Sequence, residues 1–61
     1  MVKFEELVKT LDVDTRVELY DKVGELIFNG KVRELKFMPE FVLRIIPQST
    51  SREVYLEITT Y

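Results

Sequence analysis

Few residues in this chain could do chemistry. It has no Cys and no His. Lacking His, it lacks the commonest metal ligand and the commonest general base. Lacking Cys, it has no thiolate site and no disulfide. What remains is a pair of carboxylates, Asp12-x-Asp14, with Asp21 further along. Paired carboxylates can hold Mg²⁺, an oxygen-seeking ion that keeps several waters, and such an ion can assist phosphodiester cleavage. The same spacing belongs to any solvated turn, which is its commoner cause. No metal ligands are therefore assigned, and no cofactor is expected apart from Mg²⁺ in a DNA-nicking reaction.

A second group is Lys31, Arg33 and Lys36, with Phe28 and Tyr20 nearby. Aromatic rings that stack bases, beside cations that meet phosphates, are what single-strand binders use. A strand with a charged outer side carries the same residues, and edge lysines also discourage aggregation. Ser49, Thr50 and Ser51 offer hydroxyls, but a hydroxyl nucleophile needs an activating base, so a polar loop is the simpler reading. Gly24 and Gly30 read as turn glycines, since a phosphate-cradling motif needs several glycines at fixed spacing ahead of a helix.

These residues must be held by a small scaffold. A chain of 61 residues makes one domain, spanning 1–61. Domains of this size bury only about 60% of the surface their unfolded chain exposes. They commonly compensate with disulfides, a metal or self-association, and self-association is the route this composition favours. The apolar fraction of 46% is that of a folded domain. Nine basic and eleven acidic residues are mixed along the chain, for a formal charge of −2. That balance argues against a whole-chain electrostatic grip on DNA, although a local basic patch is compatible with it. No stretch approaches the ~20 apolar residues of a membrane span, and none reads as a signal peptide. The expected location is the cytoplasm, with no membrane partner.

The organising stretch is Arg16 to Phe28. Val17 and Leu19 alternate with Arg16, Glu18 and Tyr20, which is strand periodicity. Asp21 suits the first position of a type I turn, and Gly24 suits the left-handed position that closes it with a bulge. With this turn, Leu19 should face Ile27 and Tyr20 should face Leu26. Ahead of the hairpin, Met1 to Leu11 reads as a helix with Phe4, Leu7, Val8 and Leu11 on one stripe. After it, Asn29-Gly30 is either a second tight hairpin or a bulge from which Lys31–Leu35 leaves the sheet edge. Pro39 to Leu43 is either a helical turn or a crossing loop. Arg44-Ile45-Ile46 reads as a strand ended by Pro47, and Glu53 to Tyr61 as the clearest strand. The expected fold is α+β: an N-terminal helix on a four-stranded antiparallel sheet, α-β-β-β-β.

One short helix covers one side of such a sheet. Val17, Leu19, Ile27, Val54, Leu56 and Ile58 should supply that side. Tyr20, Leu26, Phe28, Tyr55 and Tyr61 should then form an aromatic patch on the other, larger than monomers usually expose. This face, or a sheet edge, is the expected homodimer or partner interface, unless Phe37, Phe41 and Val42 fold over it.

The succession VKFEELVKTL, DVDTRVELYDKVGELIFNGKVREL, MPEFVL and a closing pair of strands resembles a diffuse group of small proteins encoded by phages and other mobile elements. It also resembles, more weakly, a small anti-CRISPR group whose sheet is similar to a single-strand-binding coactivator fold. The resemblance implies action on a host defence protein. Through the second group it implies oligomers, nicking of supercoiled DNA and an acidic residue just after the helix, where Asp14 sits as the catalytic candidate. The expected function is thus non-enzymatic binding by a homo-oligomer through an exposed sheet face, with Tyr20, Phe28, Lys31, Arg33 and Tyr55 as binding residues. DNA binding or nicking is the alternative.

Overall fold

A computed structural model of the chain describes residues 2–61. Five strands and one α-helix follow in order: β1 (Val2–Lys3), α1 (Phe4–Thr10), β2 (Arg16–Tyr20), β3 (Leu26–Lys31), β4 (Phe41–Ser49) and β5 (Val54–Thr60). A 3₁₀ turn at Val32–Glu34 follows β3. The class is α+β, as expected. The sheet, however, has five strands in the order β1-β4-β5-β2-β3, and it is mixed. β2 and β5 run parallel, while every other pair is antiparallel. The physical reason is burial. The parallel register sets Leu19 beside Ile58 and Val17 beside Leu56, which gathers the most apolar positions of the two best strands under the helix.

The helix is shorter than the apolar stripe implies. Val2 and Lys3 pair with Val42 and Phe41 instead, and the Phe4 N–H donates to the Glu40 carbonyl at 3.0 Å. Joining the sheet satisfies backbone groups that a helix start would leave open. Met1, included in the expected helix, lies outside the described residues. The stripe itself holds: Phe4 is fully buried, with Leu7, Val8 and Leu11 packed on the core. Glu5 and Lys9 form an i,i+4 pair on the wet side of the helix at 3.8 Å, both well exposed.

The first hairpin forms at the expected turn. Asp21 Oδ1 accepts from the N–H groups of Val23 and Glu25 at 3.0 and 2.9 Å, and Gly24 adopts φ 91°, a left-handed value that glycine takes freely. Tyr20 faces Leu26 as expected. Leu19 faces Phe28, with Ile27 the extra residue of a bulge. This shift moves Phe28 onto the core side, where its ring meets Phe37 edge-on at 6.2 Å. Ile27 and Val54, expected in the core, are exposed.

Asn29 and Gly30 make no second hairpin. They stay within β3, and the chain then leaves the sheet edge, held to the 13–15 loop by Val32 N–H···O Thr15 and Arg33 N–H···O Val13. Leu35 to Glu40 carries the chain to the opposite edge without a helix, but Phe41–Leu43, expected in a helical turn or crossing loop, are the first residues of β4. β4 runs through Pro47, which was expected to end it. β1 covers β4 only at Phe41 and Val42, so Pro47 sits on an edge, where a missing N–H costs no ladder bond. The buried apolar core is Phe4, Val17, Leu19, Val32, Val42 and Ile58. No helix among the described residues is long and apolar enough to cross a membrane.

Candidate functional site

The helix and the crossing loop both lie on the core side, so the outer face of the sheet is lined by side chains alone. Alternation along the strands and the observed registers arrange them in three rungs across β4, β5, β2 and β3. The first is Arg44, Thr59, Tyr20 and Leu26; the second is Ile46, Glu57, Glu18 and Asn29; the third is Gln48, Tyr55, Arg16 and Lys31.

Arg16 ties the face together. Its guanidinium lies 5.1 Å from the centre of the Tyr55 ring, donates to Glu18 Oε2 at 3.2 Å, and reaches Asn29 Oδ1 at 3.0 Å. It is also bonded to the Glu53 carboxylate. Glu18 in turn accepts from the Tyr20 hydroxyl at 2.9 Å. That hydrogen bond, with desolvation and the charges of Glu18 and Glu57, raises the Tyr20 pKa above the ordinary 10.0. Glu57 stands beside Glu18 and takes no bond or ion pair among the described residues. The two tyrosines are thus fixed, half-buried, with their rings part of the surface.

The named candidates divide between places. Tyr20 and Tyr55 lie on the outer face as expected. Phe28 does not, because of the bulge at Ile27. Tyr61 follows β5 and lies near Lys22, whose ammonium is 5.5 Å from its ring centre. Of Phe37, Phe41 and Val42, the residues that would have covered the outer face, Val42 is in the core and Phe37 packs on Phe28 on the core side.

Lys31 and Arg33 meet Asp14 at the corner where β2 begins and β3 ends. Arg33 Nη2 is 2.6 Å from Asp14 Oδ1, and Lys31 Nζ is 3.9 Å from it. Asp12 closes the preceding turn by accepting from the Asp14 N–H at 2.8 Å. Asp21 is at the opposite end of β2, so the three carboxylates do not converge. Among the described residues no three His, Cys, Asp or Glu side chains gather as a metal site. The Thr50 hydroxyl is occupied in the β4–β5 turn, accepting from the N–H groups of Arg52 and Glu53.

Reading the chain for aromatic and basic residues missed Arg16, Glu18, Glu53 and Glu57. The signal was present. Arg16-x-Glu18-x-Tyr20 and Tyr55-x-Glu57 are alternate positions of their strands, hence one face each.

No family model matches the sequence, and neither a curated protein nor a solved structure matches the chain.

Proposed function

We propose that this chain is a small, non-enzymatic binding protein that docks on a protein partner through the outer face of its sheet and works as a homo-oligomer in the cytoplasm. The observation that carries this reading is the Arg16–Tyr55 and Glu18–Tyr20 pairing on a face that no element covers. Tyrosine and arginine are the residues that dominate protein interfaces. Holding them in place before binding lowers the ordering cost of association. The resemblance to proteins of phages and mobile elements supplies the partner class, a host defence protein, with an anti-CRISPR role as one form.

The test is plaque formation on host cells carrying a CRISPR–Cas or restriction system, with the chain expressed from a plasmid. Wild type should raise plaque counts against at least one system, and Tyr55→Ala with unchanged circular dichroism should not. Equal counts with and without the chain across all systems would sink the anti-defence reading.

The corner formed by Asp14, Lys31 and Arg33 favours a second reading, binding or nicking of DNA. Two cations on an exposed sheet corner suit a phosphate backbone, with Asp14 the carboxylate between them.

A further inference from the structure

One cluster of exposed apolar side chains gathers at the turn end of the sheet. Val23 is 79% exposed, Tyr61 63%, Phe37 44% and Ile27 41%. With Pro39 they line an open groove of about 610 Å³. Its rim carries Asp21 and Lys22, adjacent and opposite in charge.

We infer that this end is where two copies of the chain meet about a two-fold axis. The inference rests on the self-association part of the reading above and supplies its interface. Two features favour a second copy as the occupant. First, a two-fold interface must be complementary to itself. An Asp21–Lys22 rim satisfies this, because each charge meets its opposite across the axis. One oxygen of Asp21 holds the turn through Val23 and Glu25, and the other takes no bond among the described residues.

Second, the two long sheet edges are interrupted, which disfavours joining of copies by extending the sheet. On β3 the Glu34 carboxylate takes the Lys31 N–H at 2.8 Å, and Ile27 bulges. On β4, Pro47 lacks the donor. Face-to-face stacking of the outer surfaces about an axis through their middle would oppose the Glu18–Glu57 rung to itself.

Sedimentation velocity at about 100 µM, where a standard-size interface associates, tests the inference. Wild type should sediment at twice 7.3 kDa. Val23→Glu and Ile27→Glu sit at exposed positions and should leave the fold intact by circular dichroism. They should weaken the dimer at least about thirtyfold and sediment as monomers. Val54→Glu, exposed at the far end of the sheet, should remain dimeric. A monomeric wild type overturns the inference together with the self-association it rests on. A wild-type dimer that survives Val23→Glu and Ile27→Glu overturns the location alone. Neither result touches partner binding, which the plaque assay reads separately.

Discussion

Arg16 and Tyr55, register partners on parallel strands, stack with the guanidinium 5.1 Å from the ring centre. This single contact joins β2 to β5 on the side of the sheet that has no helix. The same guanidinium also binds Glu18, Asn29 and Glu53. Each contact alone is small, since ion pairs near the surface contribute about 0–1 kcal/mol and a cation–π contact there about 0.5–1 kcal/mol; only the bond to Glu18 is partly buried. Arg16→Met, which keeps the apolar stem, should therefore cost about 1–2 kcal/mol in a urea titration. A loss indistinguishable from zero would mean that the network orients Tyr55 without stabilising the fold.

The phenol of Tyr20 should titrate above 10, chiefly because its proton is held by Glu18. Its folded pKa exceeds the unfolded one, so its contribution to stability is complete below the unfolded value. That contribution is lost as pH rises through the folded one. Absorbance near the phenolate band should show one tyrosine ionising late, and Glu18→Gln should bring it back toward the ordinary value. Tyr20→Phe should remove that component of the alkaline destabilisation. An unchanged titration in Glu18→Gln would rule out the hydrogen bond as the cause.

Gly24 at φ 91° has no atom within 4 Å of where a Cβ would stand. The cost of Gly24→Ala is then purely conformational, about 1–2 kcal/mol, and should appear as a lower melting temperature with no change in the dimer. At Gly30 the backbone is ordinary but space is short. A Cβ would lie 3.1 Å from Glu34 Oε1 and 3.2 Å from the Phe28 ring. Gly30→Ala should free the Lys31 N–H by displacing Glu34, giving faster hydrogen exchange at that amide.

Phe4 has no exposed surface and is the residue that pins the helix to the sheet. Phe4→Ala should cost about 3–5 kcal/mol. At about 0.05–0.15 kcal/mol per residue a domain this small has roughly 3–9 kcal/mol in total, so the variant should be largely unfolded by circular dichroism. A cooperative transition near the wild-type temperature would show that the helix is not needed to close the core.

Asp14→Ala should leave stability within about 1 kcal/mol, since the pair with Arg33 is exposed. Incubated with supercoiled plasmid and Mg²⁺, wild type and variant separate the two readings of the corner. Nicking by wild type alone supports catalysis, and equal intact plasmid in both removes it. A gel shift on single-stranded DNA at two salt concentrations checks binding, which should weaken as salt rises.

Much of the fold was legible in short stretches. The Asp21–Gly24 turn, the Phe4–Leu7–Val8–Leu11 stripe and the alternation in β2 and β5 follow from local rules: which residue accepts a backbone bond, which tolerates a left-handed angle, and which side of an element is apolar. Of the candidate site, Tyr20 and Tyr55 could be named this way. Their partners could not, because Arg16 and Tyr55 are 39 positions apart and only the parallel pairing makes them neighbours. Tertiary structure also decided that Ile27 bulges, which sent Phe28 to the core, and that Val2 and Lys3 join a sheet edge rather than a helix. Local preference at such positions is worth a fraction of a kcal/mol. Burial of Leu19 against Ile58 and Phe28 outweighs it, and that burial exists only once distant strands have met.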